Sequence, residues 1–124
     1  MKYNLFLDDI RFPHIENSEN DVSAFSYTNY KPFKKEKWII ARSFSEFIDI
    51  VRLNGLPEIV SFDNDLGDVD NIIEKTGYDC SKWLCEYCQD NNLNFPHYYI
   101  HSMNPTGANN IRTYIENYIK HVEI

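Results

Sequence analysis

Four short apolar runs constrain this chain more than anything else in it: Tyr3–Leu7 (YNLFL), Trp38–Ala41 (WIIA), Glu58–Phe62 (EIVSF) and His97–His101 (HYYIH). Each is continuous rather than alternating and is bounded by turn-forming residues. Strands of a parallel sheet, covered on both faces, have this pattern. Three helical patterns separate or follow the runs. In the first, Ser43-Phe44-Ser45-Glu46 reads as a capping box. Phe44, Phe47, Ile48 and Val51 then recur at helical spacing, and Asn54-Gly55 closes the helix after Leu53. The second spans about Tyr78 to Gln89, with Cys80, Leu84, Tyr87 and Cys88 on one face. The third opens at Pro105 behind Asn104, its natural N-cap, and runs to about Lys120. Its apolar stripe is Ala108, Ile111, Ile115, Ile119 and Val122. Strands alternating with helices predict an α/β domain with a mainly parallel sheet of four to five strands.

Residues 12–36 interrupt that rhythm. They are polar, aromatic and turn-rich where a first crossover helix would stand, which predicts a long loop in its place. With 124 residues, the chain makes one domain over residues 1–124. Its apolar fraction of 43% suffices for a core.

The net charge of −7 argues against long nucleic acid as a partner, because phosphate backbones require a basic surface. It leaves room for a small phosphorylated, nucleotide-type ligand held by a few arginines and a cation. No stretch is long enough to span a membrane. Aspartates at 8 and 9 cut short the N-terminal apolar run, so it does not read as a signal peptide. Cys85-x-x-Cys88 lacks the second pair that a zinc site needs. Reduced thiols in a cytoplasmic protein are the expectation.

The polar residues of interest all follow the apolar runs. Asp8 and Asp9 follow the first, Arg42 and Ser43 the second, Asp63 and Asp65 the third, and His101 and Ser102 stand at the end of the fourth. In a doubly wound sheet the ligand crevice lies beyond these carboxyl ends. If the first and third strands are neighbours, four carboxylates converge there. Two unit charges 4 Å apart repel by about 4 kcal/mol at an effective dielectric of 20. A bound cation, shared protons or nearby arginines must offset this. Mg²⁺ or Mn²⁺, which keep waters and open positions for phosphate oxygens, is the expected solution. A single Asp-x-Asp is also ordinary turn chemistry. Two such pairs at equivalent strand ends favour the metal.

Arg42 leaves its strand toward the crevice, and guanidinium holds phosphate bidentately. A salt bridge to an aspartate is the other reading, and Arg11 shares the ambiguity. His101 and Ser102 precede a helix N-terminus, which favours an anion. Strand alternation sends them to opposite faces, so one of them should face the crevice. Ser102 suits a phosphate-oxygen donor. His101 suits a general acid or base, or a packed core histidine.

Taken in order, LFLDDIRFP, ARSF, VSFDNDLG, TGYDCSKWL and HSMNPTGANNI resemble the cyclic-phosphate-processing receiver-like domain family. That family is a derived response-regulator receiver fold of bacteria and their phages. The resemblance covers the chain apart from residues 14–36. It implies a single three-layer, flavodoxin-like domain and action on cyclic phosphate ends of nucleotides or of ADP-ribose-type molecules. It further implies that Asp8, Asp9 and Asp63 bind the metal, with Asp63 where receivers carry their phospho-accepting aspartate. Asp63, Asp65 and His101 would be the catalytic groups. Arg11, Arg42, Ser102 and Asn104 would hold substrate phosphate. Asn64 stands where relatives often have His. The lysine with which receivers end their fifth strand has no counterpart, which counts against a phospho-accepting switch.

The leading expectation is therefore a metal-dependent phosphoesterase, a hydrolase of a cyclic phosphodiester. The nucleophile is a water activated by Asp65 or His101, or Asp63 itself. The alternative is a non-catalytic, degenerate receiver that binds a nucleotide or a protein partner. Phe25, Tyr27, Tyr30 and Phe33 of the long loop, with Lys31, Lys34, Lys35 and Lys37, would stack on a base and cover the crevice.

Overall fold

The computed structural model describes residues 3–9, 38–66 and 75–122. Within them run β1 (Asn4–Leu7), β2 (Trp38–Ala41), α1 (Phe44–Asn54), β3 (Ile59–Phe62), α2 (Gly77–Asp90), β4 (His97–Ile100) and α3 (Pro105–Val122). The strands form one sheet in the order β2-β1-β3-β4, and every neighbouring pair is parallel. This is the order of flavodoxin-like folds, whose topological switch point lies between β1 and β3. The described sheet has four strands, the lower of the expected numbers.

Period-two alternation divides the sheet into two faces. Leu5, Leu7, Ala41, Val60 and Phe62 are fully buried on one face, in a core shared with Phe47 and Val51 of α1, Leu84 and Cys85 of α2, and Ile111 and Ile115 of α3. Helix α2 packs against both α1 and α3, so the three helices form one layer on that face. On the other face Phe6 is buried among Trp38, Ile40 and Tyr99. The described residues thus supply two of the three expected layers. The expectations for the third layer, and for the loop over residues 12–36, lie outside them.

Local signals place the helices well, with three revisions. Ser43 caps α1 by accepting the Glu46 N–H at 3.2 Å. The Glu46 carboxylate, however, reaches past Ser43 to the backbone N–H of Arg42 at 2.7 Å, so the expected box is only half formed. A complete capping box stands instead on α2. There the Thr76 hydroxyl accepts the Asp79 N–H at 3.3 Å, and the Asp79 carboxylate accepts the Thr76 N–H at 2.8 Å. In α3, Gly107 is buried and Ala108 is not, and Val122 is 50% exposed. The last turn of this helix has left the core. Thr76→Ala removes one half of the intact box and is expected to cost about 1 kcal/mol in a urea unfolding titration. An unchanged midpoint would show that the box adds nothing.

All three cysteines are buried and free. Burial pushes the Cys85 thiol up to about 12 and the Cys88 thiol up to about 11, and it holds Cys80 well above its ordinary value. They are packing residues, and the Cys-x-x-Cys spacing follows from helical periodicity on the core face of α2. No helix among the described residues is long and apolar enough to cross a membrane.

Candidate active site

The last paired level of the sheet joins Ala41, Leu7, Phe62 and Ile100 across the four strands. The ladder then continues one residue further. The Asp8 N–H donates to the Ala41 carbonyl at 3.1 Å, Asp63 N–H to Leu7 at 3.0 Å, and His101 N–H to Phe62 at 2.9 Å. Asp8, Asp63 and His101 are therefore in register, and residues in register on parallel strands point to the same face. Arg42 follows Ala41 at the same level. The row stands at the carboxyl end of the sheet, on the face opposite the helices.

Three members of the row meet. Asp8, Asp63 and His101 are 0%, 3% and 1% exposed, and one ligand atom from each lies within 4.8 Å of the others. His101 Nε2 is 3.1 Å from Asp8 Oδ2, and His101 Nδ1 is 2.6 Å from the hydroxyl of buried Ser61. The imidazole lies flat on Phe6, with ring centroids 4.4 Å apart and planes 4° from parallel. Phe6 and Ser61 are partners across the β1–β3 ladder, two residues before Asp8 and Asp63. One level of the sheet thus forms the seat on which the histidine of the final row rests.

Arg42 is fixed at the edge of this group. Its Nη1 donates to the Asp8 carbonyl at 3.1 Å, while Glu46 accepts its backbone N–H. The guanidinium is thereby held to the main chain of Asp8.

The remaining sequence-predicted residues lie around the group. Asp9 is partly exposed and stands outside the three-ligand group, and Arg11 lies outside the described residues. Asp65 is exposed, with Oδ1 3.3 Å from Asn64 Nδ2 and 3.4 Å from Asn104 Nδ2. Asn104 caps α3 as expected, its Oδ1 accepting the Gly107 N–H at 3.0 Å. The Ser102 hydroxyl accepts the Asn104 N–H at 3.1 Å. Of the adjacent pair His101 and Ser102, it is His101 that joins Asp8 and Asp63. Of the four carboxylates, two meet in the group and two stand apart.

Asn64 holds the turn between Asp63 and Asp65 in place. Its Oδ1 accepts the Tyr78 N–H at 3.3 Å, and its carbonyl accepts the Gly77 N–H at 2.9 Å. A Cβ on Gly77 would lie 2.7 Å from the Asp63 carbonyl carbon and closer still to its oxygen. One on Gly107 would lie 2.8 Å from Asn64 Cβ. Each helix therefore carries a glycine in its first turn, Gly77 in α2 and Gly107 in α3, that lets the Asp63–Asp65 turn sit against it. Sequence reasoning missed Asn64 as a wedge and Ser61 altogether. Ser61 carried a signal, being the polar residue inside EIVSF, two residues from Asp63 and so on the same face.

The donor set fits a divalent cation. Ligands on one cation at about 2.1 Å sit roughly 3–4 Å apart. A group already within 4.8 Å reaches that spacing by small side-chain rotations. Two carboxylates supply the charge a hard or borderline cation requires.

The family model described as cyclic-phosphate processing receiver domain matches residues 3–117. No curated protein and no solved structure matches.

Proposed function

The chain belongs to the cyclic-phosphate processing receiver domain family, and from that membership we propose that it is a phosphoesterase that opens a cyclic phosphate on a small nucleotide or ADP-ribose-type molecule. One observation carries the reading: Asp8, Asp63 and His101, from three strands, are brought to one level at the carboxyl end of the sheet with Arg42 beside them. Two carboxylates and an imidazole with ligand atoms within 4.8 Å of one another form a donor set that a divalent cation takes, which supports a cation site.

Asp8 and Asp63 would hold the cation, Mg²⁺ or Mn²⁺, which when bound would supply Lewis-acid polarisation and charge neutralisation at the phosphoryl oxygens. Arg42 contributes a fixed guanidinium to a non-bridging oxygen. Ser102 and Asn104 stand at the N-terminus of α3, where backbone N–H groups favour the same anion. Asp65, exposed at the mouth, takes a proton from the attacking water. The water oxygen bonds to phosphorus as the bond from phosphorus to the ring oxygen breaks, and the proton taken up by Asp65 passes through solvent to that departing oxygen, leaving a monoester. The three buried thiols suit the cytoplasm.

³¹P NMR of the protein with Mg²⁺ or Mn²⁺ tests this. The panel contains 2′,3′-cyclic nucleotides, a 3′,5′-cyclic nucleotide, an ADP-ribose cyclic phosphate and ordinary monoesters. Conversion of one cyclic ester to a monoester, stopped by chelator, is the expected result. Silence across the panel with cation bound would sink the hydrolase and leave a ligand-binding receiver.

A further inference from the structure

We propose that His101 Nε2 is itself a ligand to the cation, presented by Ser61, and that the centre therefore takes Mn²⁺, Co²⁺ or Zn²⁺ in preference to Mg²⁺. This rests on the reading that Asp8 and Asp63 hold a divalent cation. The acidic site of a receiver is built from oxygen ligands, whereas here the third member of the buried group is an imidazole.

The geometry gives that imidazole a defined orientation. Stacking on Phe6 fixes the plane of the ring. The contact of 2.6 Å between Nδ1 and Ser61 Oγ fixes its rotation within that plane. Nε2 is then directed at Asp8 Oδ2, on the side where the carboxylates meet. All of these groups are buried. Water does not compete for Nε2.

Histidine ligands are held in this way in metal sites generally. The ring nitrogen away from the metal donates its proton to an oxygen, which sets the tautomer and strengthens the donor. Ser61 suits the task because a hydroxyl both donates and accepts. With a cation on Nε2, the ring proton would sit on Nδ1 and the Ser61 oxygen would accept it. An imidazole in a set of two carboxylates suits Mn²⁺, Co²⁺ and Zn²⁺, while Mg²⁺ favours oxygen and water.

Calorimetric titration with Mn²⁺, Co²⁺ and Mg²⁺, together with electron spin-echo modulation of the Mn²⁺-loaded protein, tests the assignment. The expected result is Mn²⁺ binding at least about tenfold tighter than Mg²⁺, with the ¹⁴N coupling of a directly bound imidazole. His101→Gln should abolish the coupling and bring the two affinities together. Ser61→Ala should weaken Mn²⁺ by about 10–100-fold, and Ser61→Thr, which restores the hydroxyl, should recover it. Tight Mn²⁺ binding without nitrogen coupling in the unaltered protein would overturn the ligand assignment and leave the carboxylate site standing. Unchanged Mn²⁺ affinity in Ser61→Ala would overturn the role of Ser61. Failure to bind any of the cations would overturn the cation site itself.

Discussion

Asp63→Asn is expected to reduce opening of the cyclic ester by about 10³-fold or more while making the cation-free protein more stable. Asp63 shares a buried site with Asp8, their ligand atoms within 4.8 Å of one another. At that separation two unit charges repel by about 3 kcal/mol at an effective dielectric of 20. His101 Nε2, 3.1 Å from Asp8 Oδ2, and the carboxylates' other partners offset part of this in the folded chain. Replacing the carboxylate with an isosteric amide removes the repulsion and keeps the shape. In chelator, urea unfolding should therefore show a gain of about 1 kcal/mol or more. Turnover moves the other way, because the amide is a poor cation ligand and no nucleophile. A thousandfold loss corresponds to about 4 kcal/mol of transition-state stabilisation, within what a cation supplies. The opposite signs separate a functional carboxylate from a structural one. A loss of stability on substitution would make Asp63 a partner that holds the fold together. Unaltered turnover would remove it from the chemistry.

Gly77→Ala carries the largest expected cost in stability. The added methyl would collide with the Asp63 carbonyl group and lie 3.0 Å from Asn64 Cα, both main-chain neighbours that no rotamer change can move. Relief requires the start of α2 or the Asp63–Asn64 turn to shift, breaking the Gly77 N–H bond to the Asn64 carbonyl. Overpacking of this kind costs about 3 kcal/mol or more. Gly55→Ala is the control. Nothing lies within 4 Å of a Cβ there, and the penalty comes from the backbone alone: φ +86° with ψ −173° is a region nearly reserved to glycine, costing a side chain about 1–3 kcal/mol. Urea titrations should show the larger destabilisation for Gly77→Ala, where backbone collision drives it rather than a dihedral penalty. Cation affinity should fall for Gly77→Ala alone, since that shift carries Asp63 with it. A loss below about 1 kcal/mol for Gly77→Ala, with cation affinity unchanged, would mean that the turn is not wedged against α2.

Much of the fold was legible because its signals are local. Apolar runs marked the four strands to within a residue at each end. Asn104 announced the start of α3, and Ser43 that of α1. The candidate site was legible as a set of residues at strand ends, because α/β topology sends those ends to one place. What could not be read was the selection within the set. The pairing of His101 with Asp8 spans 93 residues, and its contact with Ser61 spans 40. Glu46 chose the Arg42 N–H over that of Ser43 because the chain leaving β2 presents it there. Val122 kept the period of its helix but ran past the surface that the period would have buried.

By itself, then, the sequence determined where the strands and helices run, that their polar ends would gather, and that the chain resembles cyclic-phosphate-processing receivers. Those properties follow from periodicity, capping and residue order, which act over a few positions at a time. Only the tertiary structure decided that Asp8, Asp63 and His101 share one level, that Asp9 and Asp65 stand aside, and that Ser61 and Phe6 seat the histidine. The reason is ladder register. A slip of one residue between β1 and β3 leaves every local signal intact and turns each side chain to the opposite face. That choice is made by the packing of Leu5, Leu7, Val60 and Phe62 against the helical layer, which no short stretch of sequence contains.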